Sequence, residues 1–213
     1  MRHKTLSFMS IWAYLLFISI SYTHAASVRH VTLDEMLQQC QFVFEGKVLA
    51  LEARENSQKR IHTYVTFEIL DVIKGEYPGD TLTLSFLGGT VGDVTMGVSD
   101  MKVPQVGERG IYFVESLERS QVHPLYGWSQ GHFLVQADDT GMDRVMTSNE
   151  HPVTEVMKDM SVEQMNSNQK TTPLLSEGVA KGVSYAQKSN GNKGLTVAEF
   201  KKILHEKMGR GNE

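Results

Sequence analysis

Gly127-Trp128-Ser129-Gln130-Gly131 has the G-x-S-x-G spacing in which a tight turn presents a serine hydroxyl as a nucleophile. Asp143 and His151 follow it in the chain order that would complete an acyl-transfer triad. Such an elbow needs a strand before the serine and a helix after it, so that the hydroxyl sits at a helix N-terminus. Here His132-Phe133-Leu134-Val135 reads as strand, and nothing upstream alternates strand with helix. The pattern is therefore expected to be a turn that uses glycine for its backbone angles, with no catalytic residue. A hydrolase using Ser129 is kept as an alternative.

Metal chemistry finds equally little support. Histidines at 30, 62, 123, 132, 151 and 205 show neither HExxH nor a paired helical spacing, and zinc needs about three or four converging ligands. Asn190 to Phe200 echoes the second half of an EF-hand loop. Counting back from Glu199 as the twelfth position, however, puts Lys188 first and Lys193 sixth, where a carboxylate and a glycine are required. Gly88-Gly89-Thr90-Val91-Gly92 has no helix after it and is a poor phosphate loop. The expectation is no metal, no cofactor and no enzyme. What remains is a surface: Tyr126 and Trp128 in a glycine-bounded loop, beside His123 and His132, form the candidate binding patch. Packing in the core or within the loop is the competing reading.

The chain begins with Arg2, His3 and Lys4, followed by an apolar run from Leu6 to Ile20 and then Tyr22-Thr23-His24-Ala25-Ala26. A basic start, a short apolar middle and a small residue at the cut describe a signal peptide over 1–25, so the protein is expected in the periplasm or secreted, with no stable membrane anchor after cleavage. The mature chain of 188 residues would carry 19 basic against 25 acidic residues, a net charge of −6. An acidic surface argues against nucleic acid, whose phosphates call for a basic stripe. Cys40 is the single cysteine, so no internal disulfide is available. It reads as a buried small apolar group, with an intermolecular bridge or a reactive thiol as the other possibilities.

Positioning the patch falls to a β-rich scaffold. Phe42 to Ala53 alternates with one fault, which places a bulge near Gly46, and Ile61 to Ile73 puts Ile61, Thr63, Val65, Phe67 and Ile69 on one face. Thr81 to Leu87 gives a third strand and Val91 to Val98 a weaker one. Gly110 to Val114 reads as a central strand buried on both faces, and Gln130 to Gln136 and Arg144 to Met146 supply the last two. Thr32-Leu33-Asp34-Glu35 is a capping box opening a short helix to about Gln39, and Thr196 to Glu199 is a second one opening a helix over 197–208. Val153 to Met160 is expected to form one short helix. Residues 149–195 as a whole read as linker or loosely ordered chain.

These elements amount to a mainly β protein: a small antiparallel OB-like barrel over 26–148 with a short N-terminal helix, then a loosely ordered tail ending in a helix at 196–213. Glu45-Gly46-Lys47-Val48, Tyr64 to Gly75, Val106-Gly107-Glu108-Arg109 and Gly131-His132-Phe133 resemble a large group of bacterial exported proteins. Leu33 to Val48, with Cys40 between helix and strand, is similar to the opening of netrin-like domains of the tissue-inhibitor-of-metalloproteinases type. That resemblance implies an OB-fold and a protein partner such as a secreted protease. Inhibitors of that type chelate the enzyme's zinc through an N-terminal cysteine, whereas this mature chain would begin with Ala26 or Ser27. The expected function is thus a non-enzymatic module that recognises a protein or other macromolecule through its loops, with a protease inhibitor or accessory factor as the narrower form.

Overall fold

Helix α1 (Leu33–Gln39) starts where its cap predicts, because the Thr32 hydroxyl accepts a hydrogen bond from the Glu35 N–H at 3.0 Å. The reciprocal half of the box is absent: the Glu35 carboxylate turns to Arg29 and Tyr126. Leu33, Met36 and Leu37 form the buried stripe, and Cys40 lies at the helix end with 1% exposure. The computed structural model describes residues 28–157, 178–186 and 194–210. The expected signal peptide lies outside them.

Six antiparallel strands form the main sheet: β1 (Phe42–Glu55), β2 (Ile61–Lys74), β3 (Thr81–Leu87), β6 (Arg109–Val114), β7 (His132–Ala137) and β8 (Asp143–Thr147), in the order β3-β2-β1-β6-β7-β8. The β1–β2 register slips between Glu45 and Gly46, where the sequence faulted, and also between Val43 and Phe44 and between Val48 and Ala50. These bulges curl the β3-β2-β1-β6 half of the sheet. Alternate residues of the central strands enter different cores. Val43, Ile111 and Phe113 join one, and Phe42, Phe44, Tyr112 and Val114 the other.

The second core fills the inside of the curl, with Phe67, Leu82, Leu84 and Phe86 facing Phe44 and Tyr112. Residues 122–125 lie across its mouth: Glu115 N–H donates to Pro124 O at 3.0 Å, and Leu87 N–H donates to Val122 O at 3.0 Å. These contacts do not extend into a ladder on β3, so the sheet is open, with β3 and β8 as its ends, and no closed barrel exists among the described residues.

The first core lies on the opposite face and needs the C-terminal residues. Helix α2 (Val197–Arg210) is opened by Thr196 and Glu199, which exchange hydrogen bonds as a complete capping box. It buries Phe200 and Leu204 fully. Lys201 pairs with Glu45 and Asp71, and Lys207 with Asp34. Two expectations differ here. Val153–Val156 is a strand, β9, rather than the start of a helix, and it pairs with β10 (Val183–Tyr185); residues 158–160 of the expected helix lie outside the described chain. Val179, Ala180 and Val183 are buried in the same core, so these parts of the 149–195 segment are packed structure. The weak strand expected over 91–98 is a hairpin of β4 (Gly89–Val91) and β5 (Val94–Met96) instead, because Gly92 takes a positive φ and turns the chain. No helix among the described residues is long and apolar enough to cross a membrane.

Candidate binding groove

Between β6 and β7 the chain makes a turn that its glycine allows and its neighbour strains. Gly127 has φ +67° and Trp128 φ +60°. A left-handed conformation costs a non-glycine residue about 1–2 kcal/mol, so surrounding contacts must hold Trp128 there. A 3-10 turn, Trp128–Gly131, follows and leads directly into β7.

Gln130 supplies the main hold. It is fully buried, and its amide oxygen accepts the Val31 N–H at 2.9 Å. Its amide nitrogen donates to Arg29 O at 2.9 Å and to Gly127 O at 3.0 Å. One side chain thus clamps residues 29–31 against the turn. From the other side Lys181 N–H donates to Val31 O at 2.8 Å, and the His30 ring nitrogen Nε2 contacts Val179 O at 2.7 Å.

Together these segments enclose an open groove of about 280 Å³, lined by Val28, Arg29, Val31, Glu115, Tyr126, Gly127 and Trp128. Its rim carries both signs of charge. Arg29 is paired with Glu35 and remains 67% exposed, while Glu115 accepts from Arg119 at 2.6 Å. The Tyr126 hydroxyl donates to Glu35 at 2.7 Å. The Arg29 guanidinium and then Tyr126 hold the Glu35 carboxyl below the usual carboxylate range. Burial and the same carboxylate push the Tyr126 phenol up.

The four expected patch residues separate into two layers. Tyr126 and Trp128 line the groove, half-buried. His123 and His132 are not surface residues: they are 3% and 4% exposed. His123 is packed beneath Trp128, with its Nδ1 accepting the Leu125 N–H at 3.2 Å and its ring edge-on to Phe86 at 5.1 Å. Burial, with His132 nearby, pushes its pKa down to about 3. His132 stacks on Tyr112 at 5.1 Å and contacts Glu108 through Nε2 at 2.7 Å, and the Tyr112 hydroxyl shares that carboxylate at 3.0 Å. Both imidazoles lie inside because aromatic rings from β3 and β6 cover them.

No serine triad is assembled among the described residues: Ser129 lies in the 3-10 turn that runs into β7 rather than ahead of an α-helix, and no described histidine hydrogen-bonds to it. Asp143 pairs with Arg109 at 2.6 Å, and His151 stacks on Tyr185 at 5.3 Å. Among the described residues no three His, Cys, Asp or Glu side chains gather as metal ligands. No family profile, curated protein or solved structure matches this chain. Arg29, Val31, Glu115 and Gln130 were not foreseen as parts of the site. Only Gln130 had a visible position, inside the glycine-bounded turn, and nothing in its residue type announces that it clamps an extended segment 99 residues away.

Proposed function

We propose that the chain is an exported, non-enzymatic binding module whose groove takes an extended peptide segment of a protein partner. The observation that carries this reading is the groove itself. Tyr126, Trp128 and Arg29, the three residue types that dominate interface energetics, line one open cleft whose walls are fixed by Gln130. An apolar floor from Val31 and Gly127, between a cationic rim at Arg29 and an anionic one at Glu115, suits a neutral side chain flanked by backbone or by paired charges. Export rests on the basic and apolar N-terminal pattern of residues 1–25.

The curled half of the sheet reads as an open OB-like barrel of netrin-like kind, supported by the bulged β1, the antiparallel β3-β2-β1-β6 order and the 122–125 segment across its mouth. Folds of that sort present loops at a barrel mouth for recognition. The groove is built from such a loop.

Panning a random peptide library on the immobilised mature protein, with Trp128→Ala as counter-selection, tests the proposal. Enrichment of sequences that bind the wild type and not the variant is expected. No enrichment, or equal binding to both proteins, overturns it. Mass spectrometry of the exported protein tests the cleavage site independently.

A further inference from the structure

Strand β3 ends the sheet, and its backbone can be oriented from two hydrogen bonds. Gly88 N–H donates to Ile61 O, toward β2, while Leu87 N–H donates to Val122 O, away from it. Alternation along an antiparallel strand then directs the N–H and C=O groups of Leu82, Leu84 and Phe86 to β2 and those of Thr81, Thr83 and Ser85 outward. Asp80 O, which accepts from Ile69 N–H, fits the same parity. Among the described residues only Leu87 has a backbone partner on the outer side.

The two ends of the sheet are treated differently. At β8, Val145 N–H donates to Leu195 O at 3.0 Å and Thr147 N–H to His151 O at 2.8 Å, so the chain covers that edge itself. At β3 the residues Thr81-Leu82-Thr83-Leu84-Ser85-Phe86-Leu87 hold no charge and no proline, two usual devices that keep an edge from pairing.

We propose that the β3 edge pairs with the β3 edge of a second copy of this chain, antiparallel about a two-fold axis at Thr83. That register sets Thr83 opposite its own copy and Thr81 opposite Ser85, so that only outward-directed residues are used. It supplies about six backbone hydrogen bonds and joins two six-stranded sheets into one. Every residue so paired carries a hydroxyl on the solvent face. A threonine hydroxyl contact already occurs within the chain, at a non-hydrogen-bonded position, where Thr66 Oγ1 and Thr83 Oγ1 lie 3.1 Å apart across β2 and β3. A strand that is neutral throughout meets its own copy without charge repulsion. Leu82, Leu84 and Phe86 stay in the core of each copy, so the dimer forms through backbone and hydroxyl groups and is concentration-dependent.

Sedimentation of the mature protein over a concentration series tests the pairing, together with two variants. The wild type is expected to shift from monomer to dimer. Thr83→Lys places two like charges across the axis and is expected to weaken association at least about tenfold with an unchanged circular dichroism spectrum. Thr83→Cys is expected to form a disulfide-linked dimer rapidly under mild oxidation, because directly opposed residues of such a pair lie about 5.5 Å apart at Cα, within disulfide range. Cys40, 1% exposed and with its thiol pushed up to about 12, does not compete. Glu68→Cys, exposed on the interior strand β2, is the control and is expected to link slowly. A wild type that stays monomeric, a Thr83→Lys variant that dimerises as the wild type does, or a Thr83→Cys variant that links no faster than the control each overturns the proposal. Should Thr83→Lys fail to fold, the cysteine comparison decides alone. A heterologous partner strand on the same edge would show as a monomeric wild type. The outcome is independent of the peptide-panning result.

Discussion

The imidazole of His123 lies stacked on the indole of Trp128, ring centroids 5.3 Å apart and planes 17° from parallel. The groove wall therefore rests on a buried base whose Nε2 has no hydrogen-bond partner among the described residues. In the folded state that base titrates at about 3, against about 6.5 for an unperturbed histidine. Between these values the unfolded chain binds a proton that the folded chain does not, so stability falls as pH falls through that window and is restored above it. The limiting slope for one group is about 1.4 kcal/mol per pH unit. Urea titrations from pH 7.5 to 4.5, followed by tryptophan emission, should show this acid limb. Without residues 1–25 Trp128 is the sole tryptophan, so the signal reports on the groove wall. His123→Phe keeps a ring on Trp128 and should flatten the slope while lowering stability at pH 7.5, because the Leu125 N–H loses its acceptor. Equal slopes in the two proteins would show that His123 is not the titrating group.

Ser129 invites a chemical test because its motif suggests a reaction that its surroundings do not support. Among the described residues its hydroxyl has no histidine to take the proton, and the two residues that would complete a triad are engaged with Arg109 and Tyr185. A fluorophosphonate probe, which labels activated serines, should leave the protein unmodified, and Ser129→Ala should behave as the wild type. Labelling that disappears in Ser129→Ala would establish the hydrolase reading and remove the one proposed above.

How far this arrangement could be read from residues alone depended on how local its causes are. The caps at Thr32 and Thr196 act within one turn, and both helices begin where those residues stand. The alternation of Ile61, Thr63, Val65 and Phe67 reflects a single buried face, and the unbroken Ile111 to Val114 reflects two. By contrast, Val153 and Val156 have a spacing compatible with a helix turn. A strand forms because Val183 to Tyr185 offers a partner some 30 residues away. Histidine is suited to either core or surface, so His123 and His132 could be placed only once Phe86, Trp128, Tyr112 and Glu108 surrounded them. The groove itself depends on Arg29 and Val31 meeting Gln130, a contact without a local signature.

Gln130 should be the most sensitive single position of the groove. Gln130→Leu keeps the volume but leaves the buried Val31 N–H without an acceptor and the Arg29 carbonyl without its side-chain donor, whereas Gly127 O keeps the Gln130 backbone N–H. Stranding such groups costs about 1–3 kcal/mol each when they remain buried. Gln130→Glu restores the acceptor only, and sets a carboxylate against two carbonyl oxygens, so it should not rescue. Chemical denaturation should show both losses. Limited proteolysis should cut near residues 28–31 in the variants before it does so in the wild type. A Gln130→Leu protein that resists cleavage as the wild type does would mean that Lys181 and Val179 hold this segment without the clamp.

Glu45 offers a test of whether α2 is docked by charge as well as by its apolar stripe. Its carboxylate is 3% exposed and receives Arg109 Nε at 2.6 Å and the Lys201 ammonium from α2. Removing the acid leaves Arg109 and Lys201 with the more exposed Asp143 and Asp71, so Glu45→Ala should cost about 1.5–3 kcal/mol, the range for a charged hydrogen bond, below that for stranding a fully buried charge. Lys201→Met should cost less, since Arg109 still neutralises the carboxylate. If the two residues act on each other, Glu45→Ala combined with Lys201→Met should cost less than the sum of the single changes, with a coupling of about 0.5–3 kcal/mol in a double-mutant cycle. Additive losses would instead assign the docking of α2 to Phe200 and Leu204, whose burial is worth about 1.5–3 kcal/mol each. In that event the Glu45 carboxylate serves Arg109 and the β1–β6 pairing alone.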